Sequence, residues 1–260
     1  MKISFVIPAH NEEMYIGDCL DSIEREIQNA PCPVEIIVVD NASSDKTGEV
    51  ARSHPDVTVV DEPHKGIVWA RKAGFLASTG DIIANVDADS RLTKNWLKKV
   101  AEEFSNDPDL VALSGPFILY DLPPLRRLLV RFWYWMVFIS QGIIKFFFGS
   151  GAFLQGGNYV LRRNALEKIG GYDTNIQFYG EDSDIGRRII KTGKVKFTFK
   201  LPMYSSARRL KEEGTVTTAF RYVINYFWIL IFKKPFHMKS NDIRHESKTS
   251  DTSAPKNITK

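Results

Sequence analysis

Up to residue 90 the chain alternates between short apolar, β-branched runs and segments whose apolar residues recur at helical spacing. Such alternation restricts the fold to a mostly parallel, doubly wound α/β sheet flanked by helices. Lys2 to Ile7 is the first run, and Pro8 lacks the donor needed to extend an interior strand, so a strand is expected to end there. Met14, Ile16, Cys19, Leu20, Ile23 and Ile27 then mark a helix of about four turns. Val34 to Asp40 is nearly all apolar, as a strand covered on both faces should be. Turn residues Asn41 to Thr47 lead into a helix through Arg52, Val57 to Val60 is a third strand, and Ile67 to Ser78 is a helix carrying Arg71 and Lys72. Asp81 to Ala84 is the fourth strand.

Open α/β sheets hold their ligands beyond the carboxyl ends of the strands. Here Pro8-Ala9-His10-Asn11-Glu12 follows the first strand, Asp40 closes the second, and Asn85-Val86-Asp87-Ala88-Asp89-Ser90 follows the fourth. Asp87 and Asp89, two apart on an extended segment, point to one side and can share a hard cation, Mg²⁺ or Mn²⁺, whose open positions phosphate oxygens fill. Short acidic and amide side chains accept from a base or a ribose, so the combination suits a nucleotide diphosphate. For an isolated Asp-x-Asp a solvated acidic loop is the plain alternative.

The 260 residues are enough for one large domain or a domain with an appendage. Two cysteines, Cys19 and Cys32, make no disulfide framework, and with no signal-peptide pattern before the first strand the expected setting is the reducing cytoplasm. The net charge of +4 is uneven, with Arg126, Arg127, Arg131, Lys145, Arg208, Arg209, Lys211, Lys233 and Lys234 all in the second half. That placement suits a phosphate ligand or an anionic membrane face, and not general nucleic-acid binding.

The first 90 residues resemble glycosyltransferase family 2. The resemblance rests on Val6-Ile7-Pro8-Ala9-His10-Asn11-Glu12, Val38-Val39-Asp40-Asn41-Ala42-Ser43-Ser44-Asp45 and Gly80-Asp81-Ile82-Ile83-Ala84-Asn85-Val86-Asp87-Ala88-Asp89, in order, and extends to about residue 200. It implies a GT-A fold, a nucleotide-diphosphate-sugar donor, a divalent metal and inversion at the anomeric carbon. On the family pattern Pro8, Ala9, Asn11, Glu12 and Asp40 line the base and ribose, Arg71 reaches the nucleotide, and Asp87 and Asp89 serve ribose, diphosphate and metal.

Leu92 to Phe104 is expected as a helix and Val111 to Pro116 as a strand. Leu125 to Phe148 is apolar and aromatic, with Arg127, Arg131, Tyr134, Gln141 and Lys145 close to one helical stripe. Its uncharged part is short for a span, so an amphipathic helix lying in a membrane interface is expected, with a core helix or an oligomer contact as alternatives. Gly149-Ser150-Gly151 and Gly156-Gly157-Asn158 bracket a segment where the transferred sugar and acceptor would lie, with Gly157 and Asn158 as acceptor contacts; a plain turn explains them equally. An extended run from Tyr159 to Arg163, a short helix Asn164 to Ile169 and the Gly170-Gly171 cap follow. In the resembling family, a Gly-Asn segment, Arg162 and the Gly-Gly-Tyr172-Asp173 turn precede the catalytic acid.

Tyr179-Gly180-Glu181-Asp182-Ser183-Asp184 opens a helix to about Thr192, and its acids complement the helix dipole whatever else they do. An inverting transfer needs a base for the acceptor hydroxyl, and the family places it at the aspartate of a Glu-Asp pair, here Asp182. Glu181 would contact the acceptor or orient its neighbour; Glu181 and Asp184 are the alternative bases. A strand from Val195 to Phe199 precedes Tyr204-Ser205-Ser206-Ala207-Arg208-Arg209-Leu210-Lys211, where many relatives carry Gln-x-x-Arg-Trp or a metal-binding histidine; this chain has neither. Arg208 and Arg209 would neutralise the leaving diphosphate, or form a solvated basic loop.

The expected organisation is a nucleotide-sugar-binding half, 1–115, and an acceptor half of the same domain, 116–215, with the amphipathic helix 125–148. A membrane-associating helix, 216–237, and a disordered tail, 238–260, complete it. The expected function is an inverting glycosyltransferase acting on a lipid-linked or cell-envelope glycan at the cytoplasmic membrane face. A soluble cytoplasmic enzyme and a non-catalytic sugar-nucleotide-binding module are alternatives, and oligomerisation is left open. A sugar nucleotidyltransferase would want a glycine- and lysine-rich phosphate loop after the first strand, which Pro8 to Glu12 is not.

Overall fold

A computed structural model of the chain describes residues 1–148, 152–176 and 180–212, with positions 214, 221, 224 and 228. In chain order the elements are β1 (Ile3–Ala9), α1 (Ile16–Ile27), β2 (Val34–Asp40), α2 (Thr47–Arg52), β3 (Val57–Asp61), α3 (Ile67–Ala77), β4 (Ile82–Val86), β5 (Ser90–Leu92), α4 (Trp96–Asn106), β6 (Leu110–Ser114) and β7 (Phe117–Leu119). They continue with α5 (Pro124–Phe148), β8 (Asn158–Arg162), α6 (Arg163–Lys168), α7 (Glu181–Ile189), β9 (Lys194–Phe197), β10 (Met203–Ser205) and α8 (Arg208–Glu212). The expected helix 216–237, apart from 221, 224 and 228, the tail 238–260, Gly149-Ser150-Gly151 and Tyr179 lie outside the described residues.

Seven strands form the central sheet in the order β3-β2-β1-β4-β8-β6-β9. Neighbours from β3 to β4 are parallel, β8 is antiparallel to both β4 and β6, and β6 is parallel to β9. The halves expected at 1–115 and 116–215 therefore share one sheet. Alternation along β1 sorts its side chains: Phe5 and Ile7 join Ile16, Leu20 and Ile23 of α1 and Trp96, Leu97 and Val100 of α4 on one face. Val6 joins Val68 and Phe75 of α3 and Leu166, Ile185 and Ile189 on the other, so helices cover both faces.

Three local expectations need correction. β1 does not stop at Pro8: Pro8 and Ala9 pair with Val39 and Asp40 of β2. Ala9 turns its carbonyl toward β2, where Asn41 N–H donates to it at 2.8 Å. Alternation turns Pro8 toward the β4 side, where pairing has already ended at Val6 and Asn85, so no ladder bond is lost. Leu92 belongs to β5, and α4 begins only at Trp96, after Asn95 at φ 65°. The stretch around Arg208 and Arg209 is helical in α8, and β10 beside it joins β5 and β7 in a second small sheet.

The orientation of α5 is unusual. Tyr134 is buried, and Trp135 and Phe138 lie against Phe199, but Leu125, Leu128, Leu129, Phe132, Met136 and Ile139 are exposed. Part of the polar stripe thus faces the protein and the larger apolar stripe faces out.

Candidate active site

The loops that leave β1 and β2 are fastened to each other. Asn11 holds φ 51°, a left-handed conformation asparagine tolerates, and its side-chain oxygen accepts from Ser44 N–H at 2.8 Å. Glu12 N–H donates to Thr47 Oγ1 at 2.7 Å. Asp40 ends β2 in register with Ala9 and accepts from Ser43 N–H at 3.3 Å. A Cβ at Gly48 would come within 2.3 Å of Asp40 Oδ2, so glycine there lets α2 lie against this carboxylate without displacing it. Asn41, marked in sequence only as a turn residue, is buried and donates to the carbonyls of Glu62 and His64 while accepting from Gly66 N–H at the start of α3.

After β4 the chain does not stay extended. Ser90 N–H donates to the Asp87 carbonyl at 3.0 Å, closing a turn, and the two aspartates reach different arginines. Asp87 Oδ1 accepts from Arg71 Nη2 at 3.1 Å, and Asp89 Oδ2 lies 3.1 Å from Arg208 Nε. Each carboxylate thus has its own cation in the absence of a metal ion.

Arg71 is fully buried, with its side chain 1% exposed. Besides Asp87 it binds Glu181 Oε1 and donates to Tyr159 OH at 2.7 Å, while Tyr159 OH donates to Glu181 Oε2 at 3.1 Å. The expected reach of Arg71 to the nucleotide is replaced by a bridge between Asp87, just past β4, and Glu181 of α7. Glu181 is likewise spent on Arg71 and Tyr159, which fits an orienting role and not an acceptor contact. Tyr172 OH donates to Asn85 Oδ1 at 2.8 Å nearby. In sequence Tyr159 falls in an extended run and Tyr172 in the Gly-Gly-Tyr-Asp turn, and their spacing assigns a partner to neither hydroxyl.

Asp182, in the first turn of α7, accepts from Ser183 N–H at 2.7 Å and from Gly156 N–H at 3.1 Å. Burial pushes its carboxyl above the usual carboxylate range, with the Ser183 N–H bond and the Arg71 charge pulling the other way. Asp184, the other candidate, is buried and paired with both Arg187 and Arg188 at 2.7 Å, which leaves Asp182 as the carboxylate of α7 suited to take a proton. Gly157 has φ 79°, and a Cβ there would come within 2.1 Å of Asp87 Oδ2. The Gly156-Gly157 turn therefore touches Asp182 on one flank and Asp87 on the other. Asn158 is fully buried: it donates to the carbonyls of Gly115 and Leu201 at 3.0 Å and accepts from Trp96 Nε1 at 3.2 Å. Its amide is committed to the core, so the expected acceptor contact is not available from this side chain.

Arg208 also pairs with Glu12, and its guanidinium stacks 4.9 Å from the Tyr15 ring. Arg209 follows it on α8 with intermediate exposure. The hard oxygens of Asp87 and Asp89 suit Mg²⁺ or Mn²⁺, and the missing Cβ of Gly157 leaves Asp87 Oδ2 a cradle; Asp89, however, is shared with Arg208. Among the described residues, Asp21, Glu24 and His54 bring three ligand atoms within reach of one ion, but they lie on α1 and past α2, where Glu24 and His54 already pair at 2.8 Å.

A family model described as glycosyl transferase family 2 matches residues 4–170. The chain belongs to that family. Among curated relatives of this family 2 chain, the probable glycosyltransferase YdaM of Bacillus subtilis is 30% identical over 74% of the chain and 47% of its own length. The glucosyl-dolichyl phosphate glucuronosyltransferase of Haloferax volcanii is 24% identical over 70% of the chain and 59% of its own length. The chain thus spans about half the length of these relatives. The solved mannosyltransferase PcManGT of Pyrobaculum calidifontis, in complex with GDP-Man and Mn²⁺, superposes with a TM-score of 0.65 at 22% identity, over 88% of this chain and 64% of that one. Residues 1–349 of S. aureus TarS with UDP-GlcNAc give 0.55 at 17% identity, over 79% and 58%. At these identities the likeness shows the fold, which is the GT-A fold expected from sequence.

Proposed function

We propose that this family 2 chain transfers a sugar, with inversion, from a nucleotide-diphosphate sugar to a hydroxyl on a lipid-linked or cell-envelope glycan acceptor. What supports this most is the Gly156-Gly157 turn, with Asp182 bonded to one glycine and Asp87 packed on the other. A donor lying over the ends of β1, β2 and β4 meets Pro8, Ala9, Asn11 and Asp40 at its nucleoside and Asp87 and Asp89 at its diphosphate. Its anomeric carbon then falls toward Gly156-Gly157. Asp182 takes the proton from the acceptor hydroxyl as that oxygen attacks opposite the departing diphosphate, a geometry that one held carboxylate can serve. Glu181, fixed by Arg71 and Tyr159, keeps the start of α7 in place. Asp87 and Asp89 would hold Mg²⁺ or Mn²⁺, which when bound offsets charge on the diphosphate. Arg208 and Arg209 supply guanidinium charge to the same leaving group.

The exposed apolar face of α5, with Arg126 and Arg131 exposed along it, supports work against the cytoplasmic face of a membrane. Among the described residues no helix is long and apolar enough to cross a membrane.

Two solved relatives carry GDP-Man and UDP-GlcNAc, so these are the first donors to assay, with Mn²⁺ and the full chain. Metal-dependent release of GDP or UDP that is lost in Asp182→Asn while donor binding persists is the expected result. Donor binding without turnover across a panel of UDP-, GDP- and dTDP-sugars, with membrane glycolipid extract as acceptor, would overturn the reading.

A further inference from the structure

Tyr134 is 6% exposed on a helix whose flanking Trp133 and Trp135 are both exposed. A phenol taken into the protein needs partners for its hydroxyl, and this one has two: it accepts from Phe117 N–H at 3.2 Å and donates to Gln155 Oε1 at 2.8 Å. Its ring stacks on Phe197, with centroids 6.1 Å apart. Gln155 is held in turn, its N–H donating to Ser114 Oγ at 2.9 Å and its carbonyl accepting from Asn158 N–H at 2.9 Å. The next residue is Gly156, whose N–H donates to Asp182 Oδ2. Two successive glycines have the greatest backbone freedom of any pair, so the aim of the Gly156 N–H depends on what grips the residue before it.

We propose that Tyr134 is a positioning residue for Asp182, acting through Gln155 and the Gly156 N–H, and so ties the outward-facing helix α5 to the base. The claim that Tyr134 affects turnover rests on the reading of Asp182 as that base; the claim that it steadies the Gly156 N–H does not. A hydrogen-bonded chain of this kind fixes the direction of a carboxylate without touching substrate, and small errors in such a direction are costly in a transfer that needs in-line attack.

The test uses the full chain and the variants Tyr134→Phe, Gln155→Leu, their double and Asp182→Ala, with amide hydrogen exchange read at Gly156. Each single variant should quicken that exchange about tenfold, as loss of one hydrogen bond predicts, and the double should be no faster than either single. Asp182→Ala should quicken it as well, by removing the acceptor. For the donor turned over by the unaltered protein, kcat of Tyr134→Phe should fall about tenfold with donor KM unchanged. Unchanged Gly156 exchange in Tyr134→Phe overturns the proposal. So does a uniform rise along α5 and residues 152–158 with a lowered Tm, which would mark Tyr134 as structural only. If Asp182→Ala keeps full turnover, the base assignment fails by itself, while the Gly156 exchange still decides whether Tyr134 positions the turn.

Discussion

Arg208 and Glu12 stand 196 positions apart in the chain, and their side chains form an ion pair. Glu12 follows β1 and Arg208 opens α8, so the pair fastens α8 to the loop after the first strand. The same guanidinium reaches Asp89. Arg208 therefore occupies a carboxylate that a divalent ion would use, and a donor diphosphate would compete for the arginine from the other side. Arg208→Ala should bind Mn²⁺ more tightly without donor, measured by titration calorimetry. It should also lose about 10²-fold in kcat, the usual cost of deleting one group that stabilises a departing anion. Weaker Mn²⁺ binding in the variant would show that Arg208 organises the metal carboxylates and does not compete for them.

Arg71 carries a different burden. It is enclosed with Asp87, Glu181 and Tyr159, and replacing it by methionine removes the cation that the buried Glu181 carboxylate binds, and the one beside the partly exposed Asp87. Breaking a buried pair by removing one partner costs about 3–5 kcal/mol, so Arg71→Met should unfold at a clearly lower urea midpoint. Arg71→Lys retains charge but loses the fork that serves several acceptors at once, and should fall between the two. A methionine variant as stable as the parent would mean the network is not closed in solution.

The pH behaviour of Asp182 follows from its burial. Its folded carboxyl holds a proton more tightly than the unfolded chain does. Ionised Asp182 therefore costs stability, a cost that sets in as pH rises through the ordinary carboxylate value and is complete above the raised one. Asp182→Asn should raise Tm at pH 7, with the gain vanishing below about pH 3.5. The same substitution should lower kcat by about 10²–10⁴-fold, and the acid limb of kcat in the parent should lie above the usual aspartate value. A stabilised yet active variant would assign the base elsewhere.

Much of this architecture was legible in the sequence because β-branched runs and helical spacing report burial directly. The four parallel strands and the acids at their ends could be read for that reason. The partners of those acids could not. Arg71 meets Glu181 across 110 positions, and no periodicity encodes a meeting of that kind. Asn158 reads as an acceptor contact or a plain turn residue, yet its buried amide ties together Trp96, Gly115 and Leu201. β5, β7 and β10 have three residues each, too few to show alternation. In α5 the period was visible and its direction was not, since Tyr134 and Arg127 fit a solvent-facing stripe equally well until Tyr134 finds Gln155 and Arg127 finds the Leu122 carbonyl.

At the amino ends of the parallel strands, Glu35 gives a stability prediction free of the active site. Burial alone would raise its carboxyl, but Lys2, Ser4 and Thr79 donate to it and bring it down to about 2. Its contribution is present above the ordinary value of 4.5 and is lost as pH falls toward 2. Glu35→Gln should cost about 2 kcal/mol at pH 7, after allowance for partial exposure, and almost nothing near pH 2. Urea unfolding at the two pH values measures both ends, and a cost independent of pH would assign the effect to packing.

The outward face of α5 separates attachment from folding. Phe132 is 63% exposed and Met136 52%, and neither is part of a described core cluster, so replacing both by serine should leave Tm unchanged. Burying such side chains in a lipid interface contributes about 1.5–3 kcal/mol each, so the double variant should bind vesicles at least about 10²-fold more weakly. Flotation with vesicles containing anionic phospholipid measures this. Arg126 and Arg131, exposed on the same helix, make the parent's binding weaken as salt rises. The variant should lose binding at every salt concentration, because its loss is apolar. If it floats as well as the parent, the membrane assignment for α5 fails; if instead a parent dimer becomes a monomer in sedimentation, the face joins two copies of the chain.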